Sequence, residues 1–160
     1  MSMEDYLWDI EERVEDAIVA HIKAMCSEVA QVQAARQVTT AAYPLVVVSA
    51  EDSDNHNDTG RFTGIRRMDV SIAIITEAMN YLGDTGSIEA LRQAREHHRI
   101  IKSAVIGAIA GNEVHTDLNN RQPEGVVFSQ AYCTRQTRDA GDGKLVTIQT
   151  LDVIAGVKEL

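Results

Sequence analysis

Tyr43-Pro44-Leu45-Val46-Val47-Val48 is an apolar, β-branched run, and Met68-Asp69-Val70-Ser71-Ile72-Ala73-Ile74 alternates large apolar residues with small or polar ones. The first predicts a strand over Pro44–Ala50, because the residue before a proline is pushed toward extended conformations and proline is tolerated at a strand start. The second predicts a partner strand over Arg66–Thr76, with Met68, Val70, Ile72 and Ile74 on one face and Asp69, Ser71 and Ala73 on the other. Between them, Glu51–Gly64 carries Asp52, Asp54 and Asp58 and no apolar cluster. Loops of that length are uncommon in a compact domain and point to a functional or disordered segment. The pair therefore reads as antiparallel with a long polar tip directed at a partner.

Outward from this pair, Leu7, Ile10, Val14, Ala17, Ile18, His21, Ile22 and Met25 recur at helical spacing, with Glu11, Glu12, Glu15, Asp16 and Lys23 between them. They predict an amphipathic first helix that breaks after Cys26. Ser27–Ala42 suits either further helical turns or a short strand around Gln37–Thr40. Ser87 is a candidate N-cap for a second helix, whose stripe is Ile88, Leu91, Ala94, His98, Ile101, Val105 and Ala108, with Gly111-Asn112 as its stop. The last third reads as a hairpin: Gly125–Thr137, a turn at Asp139–Gly143, then Lys144–Val157. The order helix, strand, strand, helix, strand, strand predicts a single domain over residues 1–160. Its class is α+β, a mainly antiparallel sheet of at least four strands with two principal helices packed on one face. Open edge strands in so small a sheet invite pairing with another copy.

With 160 residues, 44% hydrophobic and 24% charged, the chain suits one soluble domain. A formal charge of −9 argues against tight binding to duplex nucleic acid, which requires clustered Lys and Arg. Cys26 and Cys133 form neither a metal-type spacing nor a disulfide framework, which suits a reducing compartment. The acidic start Met1-Ser2-Met3-Glu4-Asp5 is unlike a secretory leader, and no apolar run reaches membrane-spanning length; a cytosolic protein without a membrane is expected.

Candidate chemistry is sparse. His97 and His98 are adjacent, so in a helix they point about 100° apart, and with His115 they lack the paired spacing of a zinc site; a structural role is preferred for them and for His21. Asp52-Ser53-Asp54-Asn55-His56-Asn57-Asp58 resembles a calcium loop until Asn57 stands at the glycine position and Thr63 at that of the bidentate glutamate. A solvated acidic loop is the reading, with weak cation binding left open. There is no Gly-x-Ser-x-Gly elbow, and Cys133 falls within a strand pattern that favours packing over reactivity. No catalytic residue, metal ligand or cofactor is expected. Arg92, Arg95, Arg99 and Lys102 can align along one side of the second helix, and further cations stand at Arg61, Arg66, Arg67, Arg135 and Arg138. Either the helical stripe is simply solvated, or it meets the acidic first helix or the Asp-rich loop of a neighbouring copy. Asp52, Asp54, Asp58, Arg61, Arg66, Arg92, Arg95 and Arg99 are the candidate assembly contacts.

The amphipathic N-terminal helix, the aromatic-Pro strand Tyr43–Val48, the long polar loop, the strand Arg67–Ile74, the second helix and the closing hairpin follow in an order that resembles the tail terminator (tail completion) proteins of long-tailed bacteriophages, the family of the lambda minor tail protein U. The resemblance covers nearly the whole chain, which is longer than that pattern at Ala30–Ala42 and Asn112–Glu124. It implies a structural virion protein with no catalytic site: a homohexameric ring that caps the tail tube, ends its polymerisation and presents a docking surface. The implied partners are further copies of the chain, the tail tube protein, the head-tail connector or stopper protein, and genomic DNA passing through without tight binding. The implied location is the tail-neck region of the virion, after assembly in the host cytoplasm. A head completion or stopper protein is the alternative within this class. From other classes, the alternatives are a small metal-dependent enzyme using His97, His98 and His115, and an adaptor that binds a peptide along a sheet edge. If the polar loop is an assembly contact, deleting Ser53–Thr59 leaves the thermal melt of the purified protein unchanged and reduces tail completion. Normal tails from the deletion mutant would show the loop to be dispensable.

Overall fold

The computed structural model describes residues 3–37, 41–52, 65–78, 88–123 and 125–157. They form helix α1 (Met3–Met25), strand β1 (Gln31–Ala34), strand β2 (Leu45–Asp52), strand β3 (Ile65–Glu77), helix α2 (Ile88–Ile109), short helix α3 (Val114–Asn120), and strands β4 (Val126–Gly141) and β5 (Lys144–Val157). The strands make one five-stranded sheet in the order β1-β2-β3-β5-β4. Pairing is antiparallel throughout except for β1 with β2, which is parallel. The fold is therefore α+β, with α1 and α2 as its principal helices.

In α1, Ile10, Val14, Ile18 and Ile22 stand four residues apart and are all buried, giving the helix one continuous apolar stripe that Cys26, just past its end, continues. Its counterpart on the sheet comes from strict alternation. Val46 and Val48 of β2, Met68, Val70, Ile72 and Ile74 of β3, and Leu151, Val153 and Ala155 of β5 share one face and one core with α1 and with Ile101, Val105 and Ile109 of α2. Each such aliphatic side chain stabilises the fold by about 1.5–3 kcal/mol on burial. A one-residue slip of β3 would turn this whole set outward, so the pattern fixes the register.

Several boundaries differ from the sequence reading. β2 runs through Asp52, paired with Met68, so the β2–β3 connection starts later than expected; residues 53–64, like Ser87 and residues 38–40, lie outside the described residues. The short strand falls at Gln31–Ala34, ahead of the Gln37–Thr40 expectation, and pairs in parallel with β2. A helix of about two turns, α3, occupies what reads as connecting sequence; its two buried residues, Val114 and Leu118, are too few to announce it. The hairpin turn shortens to Asp142-Gly143, both left-handed (φ 53° and 71°), the backbone that a two-residue turn between twisted strands requires. Ile88, placed on the α2 stripe by spacing, is exposed.

Three polar ties fasten the helical layer. The first concerns β2 beyond Val48, where β1 has ended: there the Ala50 N–H donates to the Glu15 carboxylate (2.9 Å), a buried group that also receives Arg36. Arg36 completes its fork on Asp16 (2.7 Å). In the second, Arg121 Nε donates to His21 Nδ1 (2.8 Å); a guanidinium can only donate, so His21 Nε2–H donates to the Ala108 carbonyl (2.8 Å), joining α1, the end of α2 and the residue after α3. The third is Asn119, whose amide accepts from Phe128 N and donates to Phe128 O, both at 2.8 Å, as a neighbouring strand would.

Removing the Glu15 carboxylate strands a backbone N–H and a guanidinium together. Glu15→Ala is expected to lower unfolding free energy by about 2–3 kcal/mol in urea titration. Glu15→Gln, which keeps an acceptor for Ala50, should lose roughly half as much. An unchanged midpoint for Glu15→Ala would show that the network contributes nothing.

Candidate functional site

A groove with a volume of about 790 Å³ lies between α2 and the β4–β5 hairpin. Arg95, His98, Arg99 and Lys102 form one wall, at the i, i+3, i+4, i+7 spacing that brings them onto one helical face. Arg138, Asp139 and Ala140 of β4 and Leu145, Val146 and Thr147 of β5 form the other wall and the floor. Four permanent cations thus face one acid in a chain of net charge −9. That acid is engaged locally, since Asp139 Oδ1 accepts the Ala140 N–H at 2.8 Å.

His98 closes the inner end of the groove. It stands where the apolar stripe of α2 would continue between Ala94 and Ile101, but the sheet beneath is polar there: Thr76 of β3 and Thr147 of β5 are both buried. The Thr76 hydroxyl lies 2.7 Å from Nδ1 and the Thr147 hydroxyl 2.8 Å from Nε2. A ring with one N–H and one lone pair satisfies both, donating to one threonine and accepting from the other. Burial lowers the His98 pKa below its ordinary value, and the nearby charges of Lys102, His97 and Arg138 act in the same direction. His98 is thus the polar pin by which α2 is seated on the sheet.

The basic stripe divides. Arg92 and Arg99 make bidentate i,i+3 pairs with Glu89 and Glu96, with closest contacts of 2.6 Å each. Arg92 is outside the groove, and its pair is exposed, of the kind that contributes little. Among the described residues, Arg95, Lys102 and Arg138 have no ion-pair or hydrogen-bond partner. Arg66 is half-buried on β3 opposite Ala155, far along the strand from the groove end at Glu77. Asp52 ends β2, and Asp54, Asp58 and Arg61 lie outside the described residues. The candidate contacts are therefore not one cluster: Arg95 and Arg99 belong to the groove, joined by Lys102 and Arg138.

The remaining candidates are dispersed over the fold, and the buried Nδ1 of His115 has no hydrogen-bond partner among the described residues. No group of three or more His, Cys, Asp or Glu side chains that could hold a metal ion occurs among the described residues, so His97, His98 and His115 do not converge on one site. Cys26 is buried and donates to the Ala104 carbonyl (3.4 Å). Cys133 is exposed, contrary to the packed position expected from its strand pattern, because β4 is the outermost strand; its thiol donates to the Ile109 carbonyl (3.5 Å), and partial burial raises its pKa. Such a thiol is a poor nucleophile. On the opposite face of the sheet, Arg67 holds Asp152 with two bonds (2.8 and 2.6 Å), and Gln130 donates to the same carboxylate. No described helix is long and apolar enough to cross a membrane. Neither the scan against protein-family models nor the search of curated proteins gives a match.

Because the fold holds His98 below its ordinary pKa of 6.5, the unfolded chain takes up the proton first as pH falls. The stability carried by the neutral ring is therefore complete above that value and lost as pH falls from it toward the lower folded value. Comparing wild type with His98→Gln, which keeps one donor and one acceptor, isolates this contribution. Wild type should lose more stability between neutral and mildly acidic pH, by at most about 1.4 kcal/mol per pH unit before discounting for the half-exposed ring. Identical pH slopes would remove His98 from the account.

Proposed function

We propose that the chain is a ring-forming structural protein of the bacteriophage neck, a tail terminator that caps the tail tube and offers a docking surface to the head connector. The observation that carries this reading is the outer edge of β4. β4 is the last strand of the sheet, and every residue from Tyr132 to Gly141 is exposed. Among the described residues, the Asn119 amide satisfies this edge at Phe128, and no strand lies beyond it. A long edge of this kind is a template for pairing with another chain unless something blunts it. Pairing at one edge of a subunit with a different surface of the next is heterologous, the arrangement that makes a ring when the rotation between copies closes and a filament when it does not.

The resemblance in element order supplies the specific role, and the exposed edge supplies a physical means of association. Copies joined along β4 would place their helical layers on a common side of the ring wall. The tube would meet an end surface formed by the strand termini and connections, and growth would stop where the far surface lacks a matching one. The acidic balance of the chain suits a lumen through which DNA passes without being held.

Neighbouring N–H groups in a strand point to opposite edges, so Gln136→Pro and Thr137→Pro form a matched pair of tests. One should break the ladder to β5 and destabilise the fold. The other should preserve the circular dichroism spectrum while abolishing the rings seen by electron microscopy when wild-type protein is mixed with tail tubes. Rings from both variants, or no ring from wild type under any tube-containing condition, would overturn the reading.

A further inference from the structure

The ring reading leaves the groove between α2 and the hairpin without a task. Its composition is unusual for this chain. Of 15 Lys and Arg residues, four line a single concavity, and three of those, Arg95, Lys102 and Arg138, have no partner among the described residues. Holding like charges together in a cleft is unfavourable unless water or an anion screens them. Arg138 reaches the groove from the hairpin, while Arg95 and Lys102 reach it from the helix, so an anion in the groove would be gripped from two sides. The floor changes character: Leu145 is apolar and half-buried, and Thr147 presents its hydroxyl to His98. The volume of about 790 Å³ suits a molecule of nucleotide size and exceeds the need of a bare oxyanion.

The geometry points to a binding site for a phosphorylated small molecule of nucleotide size, with its phosphates on Arg95, Lys102 and Arg138 and its less polar part on the Leu145 floor. Guanidinium forks match phosphate oxygens in pairs, and lysine adds a mobile point charge; both suit a multiply charged phosphate chain better than a single carboxylate. Arg99 has a secondary place, since its fork is held by Glu96. The concave shape also disfavours duplex DNA, whose backbone charge is read by extended basic surfaces and not by one closed patch in an acidic chain.

The test is calorimetric titration of the purified full chain with ATP, pyrophosphate and adenosine at about 0.15 M ionic strength, in whatever oligomeric state the chain adopts. ATP should bind saturably, pyrophosphate more weakly and adenosine not measurably. Arg95→Gln, Lys102→Gln and Arg138→Gln should each weaken ATP binding roughly tenfold or more, the loss expected for one charge-assisted contact. Arg92→Gln, which removes a cation of the same helix outside the groove, should leave it unchanged. All four side chains reach solvent, so unchanged thermal melts would confirm that the variants are folded. Absence of saturable ATP binding at millimolar concentration would overturn the inference. So would equal weakening by Arg92→Gln, or a DNA duplex lacking 5′-terminal phosphates binding as tightly as ATP. None of these outcomes bears on whether the chain forms rings.

Discussion

The pairing of β3 with β5 is the interaction on which the rest depends. It runs without interruption from Ile65 opposite Gly156 to Glu77 opposite Lys144, at the centre of the sheet. Because side chains alternate strictly, this one register decides which residues of both strands meet the helices. Toward the Met68 end it presents Val70, Leu151 and Val153, and α1 lies there on aliphatic carbon. Toward the hairpin it presents Thr76, Thr147 and Gln149, and the core turns polar. The helix above that end must supply a hydrogen-bonding group, and α2 supplies His98. The cationic groove is open where it is because the apolar seal gives way to hydroxyls at this point.

The polar contacts of the helical layer share one logic. Each appears where a regular ladder runs out: Glu15 at Ala50, where β1 has stopped; Asn119 at Phe128, where no strand follows β4 among the described residues; and His21 at Ala108, one of the last carbonyls of α2. Backbone groups left by the end of one element must be met by side chains of another. These contacts do more than hold the fold together. They determine which helix lies over which strand, a choice that aliphatic packing alone leaves nearly degenerate.

Much of this was legible in the residues. The helical spacing from Leu7 to Met25 and the alternation from Met68 to Ile74 specified α1 and β3, and Asp-Gly between two long runs located the hairpin. The signals that failed were the weak ones. β1 buries only Val32 and Ala34, and α3 only Val114 and Leu118, too few for a period to be recognised. The site was half visible. Arg95, His98, Arg99 and Lys102 share a face by simple helical arithmetic, but the division of the arginines into paired and unpaired depends on Glu89 and Glu96 choosing their i+3 neighbours. Arg138 joins them only through a tertiary approach of the hairpin to α2, which no local pattern encodes.

The Asn119 amide on Phe128 has a consequence for geometry beyond its own two bonds. It imitates one residue of a sixth strand and then stops. A chain adding itself to β4 from the hairpin end can extend until it meets that amide and no farther, and the bulges after Phe128 and Cys133 bend the strand before that point. The edge is thus a slot with one closed end. Any strand that adds to this edge has a limit against which its offset is measured, so its register is set instead of sliding.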